Sequence, residues 1–511
     1  MKRFQAPIIL IIFALAAPSY GRQTTPEKKP TESKPAEGKA SDKKTEEPVT
    51  THHVFGTGDR AFKYTATAGK IPILDRKGEP TAQIFFVAYT KDGVKEASQR
   101  PLMFSFNGGP GSASLWLHLG ALGPKIVDLP DAKIAAPPYR LVDNPHSWLE
   151  KTDLVFIDPV ATGYSRASAP ELNSRFHGVQ SDIDSIVEFI RMYISRNERW
   201  ESPLFLVGES YGTTRAAGLS EALFERGIAL NGIVLISAVL QFQTLDFDEA
   251  NDLPYVLFLP TYTATAFYHK KLAPELLVDL RKTLTEARAW AESGYLSALQ
   301  KGARLTEQER KEAVAKLARY TGLDAEFIEK SDLRVSIQRF CKQILAKDLA
   351  AVGRFDSRYS AFAVDPLAAT PPFDPSYAAI RPAYTSAINQ YLRKTLGYKT
   401  DTPYNVLGEE VGAWDWGVRS RGGYPSVASS LQSAIAQNPS MKVHVMSGYY
   451  DLATPFAAIE YTLDHMKLDE VGRKNLSISE YEGGHMMYLH PPSLAKMKTT
   501  IDAFLSEATA R

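Results

Sequence analysis

Cysteine is almost absent: among 511 residues there is one, Cys341. A single thiol cannot close an intrachain disulfide. It also cannot build a cysteine zinc cluster or hold an iron–sulfur centre. An excess of one charge sign is missing as well. Lys plus Arg number 59 against 58 for Asp plus Glu, a formal net charge of +1. This balance speaks against a nucleic-acid binder, which carries a basic excess or face. Long apolar runs are lacking, since no stretch reaches the ~20 residues that a membrane-spanning helix needs. No internal repeat is evident. What remains is an ordinary globular composition, 44% hydrophobic and 23% charged, able to bury a core in one large domain with an insertion or in two or three smaller ones.

The two ends of this composition differ. Lys2 and Arg3 precede an uncharged run over residues 8–17, and small residues follow at Ser19 and Gly21. Basic start, apolar stretch and small-residue exit predict a signal peptide over 1–21. An uncleaved membrane anchor is the alternative, and no cysteine stands near the cleavage region to carry a lipid. Residues 22–50 are rich in Lys, Glu, Pro, Ser and Thr and lack aromatic residues, which predicts a disordered linker. The protein is therefore expected to be exported, periplasmic or secreted, with no stable membrane insertion after signal cleavage.

From residue 51 the pattern is β-like, with aromatic and β-branched runs at 62–67 and 82–89. Short apolar runs follow at 102–106, 154–157, 204–207, 233–236 and 443–446. Their lack of alternation suits strands covered on both faces, as in a parallel sheet. Between two of them Val179, Ile183, Ile186, Val187, Ile190 and Ile194 repeat at helical spacing. Strand, helix, strand in this order predicts an α/β fold with a doubly wound, mostly parallel sheet. A helix over 493–505 closes the chain. Residues 241–402 break the alternation and read as a mainly helical insertion, with helix expected over 275–299 and 324–345 and a capping box at Thr306 and Glu309. The core is thus expected in two parts, 51–240 and 403–511.

Chemistry concentrates at short motifs. Gly208-Glu209-Ser210-Tyr211-Gly212 follows a strand run, the setting of a nucleophile on a sharp strand-to-helix turn. A capping serine in an ordinary turn is the plainer alternative. A serine hydroxyl needs a base, and of ten histidines only His485, in Glu482-Gly483-Gly484-His485-Met486, stands on a glycine-preceded loop after a late strand run. The acid that orients it should lie between the two. Asp451, just past the run 443–446, fits better than Glu460, which is further from the strand end. Asn107-Gly108-Gly109-Pro110-Gly111-Ser112 carries glycine dense enough to bring backbone N–H groups close to a ligand. It lacks the Gly-Lys-Ser/Thr ending of a phosphate loop. Gly109 and Tyr211 are the candidates whose N–H groups would form an oxyanion hole.

Taken together, these blocks resemble the serine carboxypeptidases, the family of carboxypeptidase Y and cathepsin A. The matching blocks are Asn107 to Ser114, the run 157–165 (Ile-Asp-Pro-Val-Ala-Thr-Gly-Tyr-Ser), Gly208 to Gly212, and the segments around Asp451 and His485. The resemblance implies an α/β-hydrolase fold with a helical cap and a triad of Ser210, Asp451 and His485. It implies Asn107 and Glu209 as the pair that binds the substrate's free carboxylate, and it requires neither metal nor organic cofactor. The partners it implies are peptides with a free C-terminus. With the lone cysteine and the leader it suggests a bacterial exported member. The chain departs from the family in places. Ala121 stands where a second glutamate is common, Ser105-Phe106 replaces a usual tryptophan, and Ser112 replaces a usual cysteine. The expected function is a serine-type carboxypeptidase. The alternatives are an exported esterase or acyltransferase using the same triad, or an idle hydrolase fold used for binding. Nothing in the sequence speaks to oligomeric state.

Overall fold

The computed structural model describes residues 47–58, 61–417 and 423–510. The expected signal peptide and all but residues 47–50 of the expected linker lie outside them. The last residues of that linker are already structured, because the first strand starts at Val49.

The central sheet runs through β1 (Val49–Phe55), β2 (Phe62–Leu74), β3 (Pro80–Lys91), β4 (Leu102–Phe106), β5 (Asp153–Ile157), β6 (Leu204–Glu209), β7 (Gly232–Ile236), β8 (Lys442–Gly448) and β9 (Leu476–Tyr481). Their spatial order is β1-β2-β3-β5-β4-β6-β7-β8-β9, with the short Arg166–Ala167 strand pairing with β3. The pairs β1/β2, β2/β3 and β3/β5 are antiparallel, and every later pair is parallel. Register is tight in the middle: Ile233 of β7 pairs with Leu206 on one side and Val443 on the other.

Both faces of these strands are covered, which is why they read as near-continuous apolar runs. Consecutive residues enter different cores. Phe86, Leu206 and Ile233 point into one cluster together with α1 (Val179–Arg196) and α2 (Tyr211–Phe224). Phe85, Phe205 and Val234 point into the other. The apolar stripe predicted on α1 is buried as expected, with Ile183, Ile186, Val187, Ile190 and Ile194 all in that core.

The segment after β7 builds a third cluster around α3 (Leu253–Tyr268), with α4 (Leu280–Trp290), α5 (Glu307–Thr321) and α6 (Ile337–Gln343). The capping box is present, Thr306 and Glu309 each serving the other's backbone. The helix expected over 275–299 is interrupted: α4 ends at Trp290, a wider π turn follows over Ala291–Tyr295, and Leu296–Lys301 resumes. The helix expected over 324–345 also divides, because Asp332 and Leu333 adopt positive φ angles of 49° and 61°, which a helix excludes. A small antiparallel pair, Ala350–Val352 with Ser360–Phe362, follows. Cys341 is buried in this cluster, and burial pushes its thiol well above the ordinary range. There it packs as a small, mostly apolar side chain.

Helix α7 (Pro375–Gln390) packs elsewhere. Its Tyr384 meets Trp116 at 5.0 Å between ring centroids, within the core that also holds the closing helix α8 (Pro491–Ala508). Among the described residues no helix is long and apolar enough to cross a membrane.

Candidate active site

The parallel strands aim their carboxyl ends at one edge, and the motif residues sit just past those ends. Asn107 follows β4, Ser210 follows β6, Asp451 lies three residues beyond β8, and His485 lies four beyond β9. Open α/β sheets bind ligands at this edge because the loops there converge.

Ser210 has φ 60° and ψ −131°, a costly conformation for a residue with a side chain. The surrounding hydrogen bonds hold it. Its N–H donates to Ile236 O at 3.0 Å, and its carbonyl accepts from the Thr213 N–H at 2.8 Å and hydroxyl at 2.7 Å. A Cβ on Gly208 would lie 2.2 Å from Gly212 O, so the sharp turn needs glycine there.

Asp451 is fully buried. Its Oδ1 accepts from the Ala453 and Thr454 N–H groups at 2.8 and 3.0 Å. Its Oδ2 accepts from the Thr454 hydroxyl at 2.7 Å and from His485 Nδ1 at 2.8 Å. A carboxylate that only accepts places the proton on Nδ1 and leaves Nε2 as the basic nitrogen. The ring is fixed from its backbone too, with His485 N donating to Phe355 O at 2.5 Å and its carbonyl accepting from Ser237 Oγ at 2.7 Å. Burial disfavours the imidazolium, but the Asp451 charge and hydrogen bond, helped by Glu209, outweigh it and raise the His485 pKa above its usual value. Glu460, the weaker candidate for the acid, pairs instead with Arg288.

Glu209 is buried and receives Asn107 Nδ2 on Oε1 at 2.8 Å. Asn107 is held on all sides. Its Oδ1 accepts from Leu117 N at 3.1 Å, and its carbonyl accepts from Arg215 Nη1 at 2.6 Å, Arg215 being anchored by buried Asp182. Burial pushes the Glu209 carboxyl up to about 7, against the opposing pull of His485.

The glycine loop lies directly on the Ser210 turn. A Cβ on Gly108 would stand 2.4 Å from Tyr211 N and 2.8 Å from Glu209 O, so Gly108 lets the two backbones touch. Gly109 itself has φ +100°. The block at 157–165 braces this loop, since Asp158 Oδ1 accepts from Ser114 N at 2.8 Å. Several supports of the site stand outside the sequence motifs: Thr454, Ser237, Phe355 and the Asp182–Arg215 pair. Thr454, three residues after Asp451, had a local signal in its spacing; the others come from distant segments. Among the described residues no group of three or more His, Cys, Asp or Glu side chains is arranged to hold a metal.

A family model described as serine carboxypeptidase matches residues 72–490. The chain belongs to the serine carboxypeptidase family. Curated relatives include serine carboxypeptidase-like 45 of Arabidopsis thaliana, 28% identical over 191 residues, which cover 36% of this chain and 38% of the relative. A probable serine carboxypeptidase of Arthroderma benhamiae is 26% identical over 171 residues, covering 31% and 29%. These matches thus span less than half the length of the relatives. Among solved structures, the Saccharomyces cerevisiae prohormone-processing carboxypeptidase Kex1 is similar with a TM-score of 0.55 and 16% identity, over 87% of this chain and 91% of that one. At that identity the likeness establishes the fold, and the serine carboxypeptidase chain described above has the α/β-hydrolase architecture expected from its sequence.

Proposed function

We propose that this protein is an exported serine carboxypeptidase that removes C-terminal residues from peptides, with 241–402 as its helical cap. The observation that carries the reading is the buried Asn107–Glu209 pair immediately before Ser210. A carboxyl held near neutral pKa beside an amide donor can give a hydrogen bond to another carboxylate, which an ionised glutamate cannot. The cap contributes through residues 354–357: besides the Phe355 contact, Leu452 N donates to Arg354 O at 3.0 Å and Ser357 N to Tyr450 O at 3.0 Å, flanking Asp451 and His485.

In this mechanism Asn107 and protonated Glu209 hold the substrate's C-terminal carboxylate and set the scissile carbonyl over Ser210. His485 Nε2 takes the hydroxyl proton as Ser210 Oγ attacks the carbonyl carbon. The N–H groups of Gly109 and Tyr211 receive the developing oxyanion. His485 then gives its proton to the departing amine, and Asp451 stabilises the imidazolium meanwhile. Water, activated by the same histidine, releases the acyl group from Ser210.

The direct test compares an N-blocked dipeptide bearing a free C-terminus with its C-terminal amide. The acid should be cleaved far faster at mildly acidic pH. Equal rates would return the site to a general esterase or acyltransferase.

A further inference from the structure

Glu209 Oε2 is buried and closes no hydrogen bond of normal geometry with the protein. Two phenols share that condition in the same place, Tyr384 Oη from α7 and Tyr488 Oη from the turn after His485. The three are neighbours: Glu209 lies within hydrogen-bonding reach of Tyr488 and acts on Tyr384 through its charge. Both rings stand against Gly120, where a Cβ would lie 2.4 Å from Tyr384 Oη and 2.5 Å from Tyr488 Cε2. Ala121 follows, too short to bring any polar group to the pocket. Buried polar atoms in folded proteins are ordinarily paired, so three side by side with no partner of normal geometry call for one. A phenol has only to rotate its O–H to reach a neighbouring carboxylate oxygen.

We propose that Tyr488, with Tyr384 behind it, is a positioning residue for Glu209: its hydroxyl serves Oε2 when Glu209 is ionised and releases it when Glu209 carries the proton that meets the substrate carboxylate. This rests on the reading of Glu209 as the carboxylate-binding acid. The groups facing Glu209 are Asn107 from the loop after β4, His485 and Tyr488 from the loop after β9, Asp451 beyond His485, and Tyr384 from α7. Burial and the Asp451 charge oppose ionisation, while His485, Tyr488 and Asn107 favour it. Both phenols are held far above their ordinary range, mainly by burial, so they stay neutral while Glu209 titrates.

The test labels the protein with 13C-glutamate and follows the Glu209 side-chain carboxyl signal, identified by its loss in Glu209→Gln, against pH. Removing a donor to the ionised form must raise the midpoint. Tyr488→Phe should move it upward by about one pH unit, a tenfold change in proton affinity, and Tyr384→Phe less in the same direction. The pH at which cleavage of the free-acid dipeptide declines should rise with it in Tyr488→Phe. A fluorinated tyrosine at 488, the same ring with a stronger donor, should move the midpoint down and keeps the question decidable if the phenylalanine variant does not fold. A midpoint that stays in place, or moves against these directions, overturns the assignment. The resonance reads Glu209 directly, so it decides the role of Tyr488 even in an enzyme that treats acid and amide alike, the result that would instead overturn carboxylate recognition.

Discussion

Asp451 and Glu209 are both buried carboxyl groups at the carboxyl edge of the sheet, and both bear on His485. Asp451 accepts from two backbone N–H groups, a hydroxyl and the histidine ring, so both its oxygens are occupied. Glu209 accepts a single side-chain amide and keeps its second oxygen open. The same functional group therefore receives opposite assignments from its surroundings. Four donors saturate one and tie it to the His485 ring. Burial with few donors pushes the pKa of the other up to about 7. The family resemblance names both residues, but the hydrogen-bond inventory separates their chemistry.

The comparison can be broken most severely on the Asp451 side. Asp451→Asn keeps the shape but offers a donor where His485 needs an acceptor, so kcat should fall about 10⁴-fold, measured on peptide and ester alike. An effect under tenfold would remove Asp451 from the triad. Next comes Gly108→Ala, whose Cβ would collide with Tyr211 N. Displacing the oxyanion donors should cost about 10²–10³ in kcat; steady-state kinetics on a soluble, folded variant checks it.

The Glu209 side predicts a pH effect with a definite sign. A carboxyl with a raised pKa is protonated below about pH 7 and ionised above it, so KM for a free-acid substrate should climb as pH passes through that value. His485 must lose its proton to act as base, which sets the acidic limb. The two groups interact, so the measured limbs belong to the pair. Glu209→Gln should flatten the alkaline rise in KM while ester hydrolysis persists; an unaltered profile would exclude Glu209 from carboxylate recognition. The smallest effect is expected far from both carboxyls. Thr306→Ala removes the capping box of α5 and should lower stability by about 1 kcal/mol, read by denaturant unfolding, with kcat/KM unchanged.

Much of this was legible because the signals are local. A strand buried on both faces needs a continuous apolar run, and β4, β6, β7 and β8 show one. The Ser210 turn announces itself through its glycines, since crowding within five residues is a matter of sequence alone. The helical segment was less legible. The break after Trp290 has only Gly294 to mark it and the one at Asp332 has neither Gly nor Pro, and packing in the third cluster overrides the helical preference of those residues. Tyr488, three residues from His485, was within sight, but nothing local tells a phenol that faces a carboxylate from one that fills a core.

The sequence by itself determined the strand order along the chain, the sharp turn that presents Ser210, and the identity of the residues at each strand end, because these depend on periodicity and on neighbours a few positions away. Only the tertiary structure decided which carboxyl is saturated and which is left open. Thr454 and Ser237, Arg215 and Asn107, Tyr384 and Glu209 are joined across separations of up to 217 residues. The protonation of a buried group depends on donors and on dryness, and both are properties of the assembled surroundings.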